Sequence, residues 1–183
     1  MTVDLSSSHF ELFGLPQSFV IDRELLDRRY RELQRSVHPD RFANAGEQER
    51  RLSLQRAAQI NEGYRILKDP LQRGQYLLEL NGYSFSDRQH TTNDAEFLME
   101  QMELREALGA IRTAADPIAA LGALMDRIAA DFDALTAELQ AGFSGDAGRQ
   151  PDTLAEILMK MRFFRRLQEE AMELEVQLED EQA

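Results

Sequence analysis

Apolar residues recur along most of the chain at spacings of three and four, and no stretch sustains a spacing of two. That pattern predicts helices throughout and no sheet, an all-α protein. The first helix is short, about Phe10 to Phe13, and is ended by Gly14 and Pro16. The second opens at Asp22, a natural N-cap, and sets Leu26, Tyr30, Leu33 and Val37 on one stripe. Pro39 ends it, because the residue before a proline is pushed out of the α region. A third helix, from about Glu47 to Lys68, turns Ala57, Ile60, Tyr64 and Leu67 to one face. Asp69 and Pro70 then cap and start a fourth, carrying Tyr76, Leu77 and Leu80 until Gly82 stops it.

The stretch NGYSFSDRQHTTN, from Asn81 to Asn93, has no helical period and reads as a linker. Three longer helices follow. Asn93, with Glu96 three residues on, has the form of a capping box and opens the first, which runs to about Thr113. Asp116 and Pro117 open the second, with Leu121, Leu124, Ile128, Phe132, Leu135 and Leu139 along its core edge. After the loop GFSGDAGRQP comes the third, from about Asp152 to Glu179. Three helices with short connections pack as an antiparallel bundle. On a projection of about 100° per residue, Leu104, Leu108 and Ile111 fall within about 40° of Phe97 and make a core stripe. Leu98, Met99 and Met102 fall on the far side, at about 100°, 200° and 140°, bordered by Glu103 and Glu106. Apolar side chains opposite a core stripe are either buried against a neighbour or kept for a partner, and projection leaves both readings open. On the last helix Leu154, Leu158, Met161 and Met172 share a sector, while Phe163 falls outside it with Leu167 and Leu174.

With 183 residues the chain can form one domain or two small ones, and its charge favours two. The net −12 belongs to the second half: residues 1–83 hold 12 acids and 12 bases, residues 84–183 hold 21 acids and 9 bases. Such an acidic half speaks against nucleic acid, which requires clustered Lys and Arg. The absence of Cys excludes disulfides, thiolate metal sites and Cys nucleophiles. The start MTVDLSSSHF has no basic region followed by an apolar one, and no apolar run approaches a membrane span. A soluble cytoplasmic protein, with no membrane partner, is the expectation.

Against this background the stretch QRSVHPDRFANAG stands out. Arg28, Arg31 and Arg35 lie opposite the stripe of the second helix and lead toward His38, Pro39 and Asp40. Taken singly, these are a solvated charged face and a proline stop. As metal or acid–base groups, His38 and Asp40 supply at most two ligands, and nothing nearby in sequence completes a zinc site. No metal or other cofactor is expected, and no GxxxxGK[ST] element supports nucleotide binding. In combination, an arginine-faced helix, His-Pro-Asp, a loop and a long return helix with Tyr64 resemble the J-domain, over roughly residues 9–80. The resemblance implies that His38, Pro39, Asp40 and the three arginines dock on a DnaK-type chaperone and trigger its ATPase. The chemistry would then belong to the partner, and the chain itself is not expected to be an enzyme.

The segment HTTNDAEFLMEQMELREAL, His90 to Leu108, followed by acidic helices, resembles the HscB type of J-protein, a co-chaperone of iron–sulfur cluster biogenesis. This resemblance spans essentially the full chain. It implies a J-domain (1–80), a linker (81–93) and a three-helix bundle (94–183), with the J-domain packed at an angle on the bundle. It further implies two partners, an HscA-like chaperone and an IscU-type cluster scaffold, the latter held by Leu98, Met99, Met102, Glu103, Glu106 and Phe163. The alternative is a general J-protein presenting unfolded clients, for which a broader apolar surface is expected.

Overall fold

A computed structural model describes residues 8–38, 46–83, 94–144 and 150–181. Among the described residues every regular element is helical. In chain order these are α1 (His9–Phe13), α2 (Arg23–Ser36), α3 (Glu47–Lys68), α4 (Pro70–Leu80), α5 (Ala95–Ala110), a 3₁₀ turn (Ile111–Thr113), α6 (Pro117–Ser144) and α7 (Pro151–Asp180). The chain divides into two compact units, Met1–Asn81 and Gly82–Ala183.

The first unit is a helical hairpin of α2 and α3 closed by two shorter helices. Asp22 caps α2 by accepting the Leu25 N–H at 2.9 Å, and Asp69 caps α4 by accepting that of Gln72 at 2.9 Å, with Pro70 in the first turn. Gly14 ends α1 in the left-handed region, φ 61°, where a Cβ is unfavourable. Leu26, Ile60 and Leu67 are fully buried with Phe10 and Phe13, and Gly63 lets α1 approach α3 so closely that a Cβ there would stand 3.0 Å from His9 Nδ1. Leu80, carried on α4 with Tyr76 and Leu77, is 38% exposed. The buried stripe of α4 is instead Leu71, Gly74, Leu77 and Leu78, and Leu80 lies roughly 120° from its middle.

One buried residue of this unit was not expected. Arg73 is 8% exposed, donates from Nη1 to the Leu67 carbonyl at 2.5 Å, and stacks 4.8 Å from the Phe19 ring centroid. Burial, and next the charge of Arg23, push its pKa down to about 10.

The second unit packs α5 and α6 against the 30-residue α7. Its core joins Phe97, Leu104 and Ile111 to Leu121, Leu124 and Ile128 of α6 and to Phe164, Leu167 and Ala171 of α7. Three sequence expectations are corrected here. The cap of α5 is Asp94, whose carboxylate accepts the Phe97 N–H at 3.1 Å; Asn93 lies outside the described residues. α5 tightens into its 3₁₀ turn after Ala110, burying Ile111. α6 runs on through Ser144, three residues into the expected loop, with Gly142 buried and Ser144 Oγ donating to the Gln140 carbonyl.

On α7 the inward face also differs from expectation. Met172 is 48% exposed, whereas Leu167 is fully buried. Ile157, Phe164, Ala171 and Leu178 repeat every seven residues, and all four are buried. That is a period of 3.5, and against it a straight 3.6 projection drifts by about 20° per heptad. The buried face turns along α7: Leu154, Leu158 and Met161 line it first, Phe164, Leu167, Ala171 and Leu178 later, and Met172, which projects onto Leu154, falls outside the later set.

Candidate functional site

The exposed face of α2 is set by how α2 is clamped to α3. The Tyr30 ring stacks on Tyr64 at 4.0 Å, the Tyr30 hydroxyl donates to Asn61 Oδ1 at 3.0 Å, and Gln34 donates to the same oxygen. Tyr64 in turn donates to Asp27 Oδ1 at 2.9 Å. With Leu26 and Val37 turned inward, Arg28, Arg31 and Arg35 are all exposed, and none of the three makes an ion pair among the described residues. The helix ends with Ser36 Oγ donating to the Leu33 carbonyl, then buried Val37, then exposed His38. Pro39 and Asp40 lie outside the described residues, so the structure carries the arginine face up to the imidazole and no further.

On α5 and the 3₁₀ turn that continues it the two faces separate as the projection predicts, with Leu108 half-buried. Phe97, Leu104 and Ile111 are at most 5% exposed, while Leu98 is 44% exposed and Met99 and Met102 are each 64% exposed. Glu103 and Glu106 are exposed beside them. Phe163 is different. It is half-buried at the seam of α5 and α7, meeting Phe97 edge-on at 5.6 Å and Phe164 at 5.5 Å. Its neighbour Leu167 belongs to the core, so Phe163 joins that core at its margin.

Two charged residues that sequence reasoning passed over organise the same surface. The Arg105 guanidinium lies 5.7 Å from the Phe163 ring centroid and 3.5 Å from a Glu170 oxygen, placing a cation beside an otherwise acidic margin. Its position was readable, since Arg105 follows Leu98 by seven residues and so shares its face. Lys160 reaches across from α7 to Asp94 at 2.6 Å and stands 5.2 Å from the Phe97 ring centroid. The Lys160 hydrogen bond, followed by that from the Phe97 N–H, holds the Asp94 carboxyl below its usual pKa. No sequence rule pairs residues so far apart in the chain. Among the described residues no group of three or more His, Asp or Glu is placed to hold a metal ion. None of their helices is long and apolar enough to cross a membrane.

Comparison with known proteins defines what these surfaces belong to. A family model described as the HSCB C-terminal oligomerisation domain matches residues 93–172. A co-chaperone protein HscB homolog of Shewanella sp. (strain MR-4) is 45% identical over 173 residues, covering 94% of this chain and 99% of its own. Among solved structures, the chaperone HscB from Vibrio cholerae matches with a TM-score of 0.81 and 42% identity over 94% of this chain and 99% of its own. Human co-chaperone HscB matches with a TM-score of 0.83 and 32% identity over 94% of this chain and 84% of its own. The class is therefore an all-α co-chaperone built from a J-domain and a C-terminal helical domain. The chain belongs to the HscB family of that class.

Proposed function

We propose that this co-chaperone stimulates the ATPase of a DnaK-type chaperone of the HscA kind and delivers to it an IscU-type scaffold during iron–sulfur cluster assembly. The J-domain, over residues 1–80, supplies Arg28, Arg31, Arg35, His38, Pro39 and Asp40 to the chaperone; residues 81–93 link it to the scaffold-binding bundle of residues 94–183. Arginines on an open helix face speed encounter with an acidic partner more than they tighten the final complex. Leu98, Met99 and Met102 anchor the scaffold, Glu103 and Glu106 form a polar margin, and Phe163 completes the surface from α7.

The observation that carries this reading is the solvent exposure of Leu98, Met99 and Met102 on a helix whose opposite face is buried. A small apolar row framed by acids fits one defined protein partner better than a range of unfolded clients.

Replacing Leu98, Met99 and Met102 by Ala tests it. Apolar anchors cost about 1 to 4 kcal/mol each in binding when truncated, so calorimetric titration with the scaffold should show affinity falling by two orders of magnitude or more. Because the three side chains are exposed, melting temperature should hardly move. Undiminished scaffold binding together with a large drop in melting temperature would remove the assignment. A second reading rests on the description of the matching family model as an oligomerisation domain: the same row joins two copies of the chain. Sedimentation of the triple variant separates the two, since loss of a dimer with scaffold affinity intact selects self-association.

A further inference from the structure

The first turns of α5 carry apolar side chains that the bundle does not bury. Phe97 and Leu104 are the buried residues of α5, seven positions apart, and under its start lies an open cleft of about 410 Å³ between Phe97, Asp131 and Phe164. A helix that leaves Leu98, Met99 and Met102 in solvent takes no stabilisation from their burial, and short helices in water are marginal without packing. Phe97 is the one side chain of the first turns that packs into the core, so a contact beside it has a large share in holding this end in place.

One carboxylate makes that connection. Asp94 Oδ1 accepts the Phe97 N–H, capping α5, while Oδ2 accepts Lys160 Nζ from α7 at 2.6 Å. The ammonium also stands over the Phe97 ring, so cap, cross-helix bridge and the buried aromatic form one unit. The two side chains are 23% and 29% exposed, and sheltered, short ion pairs are the ones that constrain geometry. The other bridges from α5, Glu100 to Arg127 at 3.6 Å and Arg105 to Glu170 at 3.5 Å, are longer and more exposed, a class that contributes little.

We propose that Asp94 and Lys160 are positioning residues for scaffold docking: their clasp orders the first turns of α5, so that Leu98, Met99 and Met102 stand in a fixed row before the partner arrives. This rests on the scaffold reading above. Neither residue has to touch the scaffold. Affinity scales with the fraction of molecules in which the row is ordered, so releasing the clasp weakens binding by the factor that this fraction falls.

The test uses full-length variants that remove the bridge and spare the neighbouring roles. Lys160→Met keeps an unbranched apolar stem against Phe97 without the charge, and Asp94→Asn keeps a capping oxygen without the charge. Lys160→Arg keeps the cation. Hydrogen exchange along the bundle and calorimetric affinity for the IscU-type scaffold are read for each, with Leu98→Ala/Met102→Ala as the reference for the row. Lys160→Met and Asp94→Asn should speed exchange at the Leu98 to Met102 amides, leave those of Leu121 to Ile128 unchanged, and weaken binding about tenfold. Lys160→Arg should restore both, and the Asp94→Asn/Lys160→Met double variant should be no worse than either single one. Normal binding by Lys160→Met while the reference variant fails would overturn the clasp alone. Faster exchange throughout the bundle would reduce it to a general stabilising contact and overturn it too. Normal binding by the reference variant would dismiss the docking row, and the clasp's part in docking with it.

Discussion

Val37 is 6% exposed and the next residue, His38, is exposed, so the step from core to surface takes one peptide bond. A change at His38 therefore has little fold to disturb. His38→Gln should abolish stimulation of the chaperone ATPase, read as steady-state ATP hydrolysis, and leave circular dichroism unchanged. His9 behaves in the opposite way. It is half-buried against the Tyr76 ring at 4.7 Å, and burial lowers its pKa, an effect partly offset by the charge of Glu62. A lowered native pKa means that the neutral ring is the form the fold prefers. The stabilisation is complete above the unfolded value, about 6.5, and is lost as pH falls through the native one. Thermal melts should therefore show stability declining with acidity just below neutrality, with a smaller decline in His9→Phe. An unchanged pH profile in that variant would exclude His9 as the source.

Elements in the first unit are held by close approach as much as by apolar area. A Cβ at Gly63 would meet His9 Nδ1 at 3.0 Å and Phe13 at 3.1 Å, so Gly63→Ala must displace α1 and should cost about 1 to 3 kcal/mol, measured by denaturant unfolding. Helix starts were legible in the sequence, because a cap joins residues two or three apart: Asp22, Asp69 and Asp116 each accept an N–H of the first turn. What escaped was tertiary. Arg73 is a surface residue by type and is buried only because the Leu67 carbonyl and the Phe19 ring meet it. The inner face of α7 turns along the helix, and in its second half Leu167 is buried while Met172 is exposed, the reverse of their expected places. The exposed row on α5 was legible as a pattern, yet nothing local in the chain could decide between a buried neighbour and solvent, or reveal that Lys160 reaches Asp94.

For the molecule as a whole, charge divides the two proposed activities. Residues 1–83 are neutral overall and present arginines, whereas residues 84–183 carry the net −12 and present an apolar row. Raising salt from 0.1 M to 1 M shortens the screening length from about 10 Å to about 3 Å. Chaperone stimulation should therefore weaken with salt, while scaffold binding through Leu98, Met99 and Met102 should change little. The two should also separate genetically: His38→Gln keeps full scaffold affinity, and the triple Ala variant keeps basal stimulation. Loss of both by either single lesion would contradict the division. The make-up of the apolar row has a chemical consequence as well. Two of its three side chains are thioethers at 64% exposure, whereas Met161 is fully buried. Mild peroxide should convert Met99 and Met102 to sulfoxides well before Met161, turning the row polar while the helices stay intact, and methionine sulfoxide reductase should reverse it. A docking surface made of sulfur would thus be open to oxidation in a chain without a single cysteine.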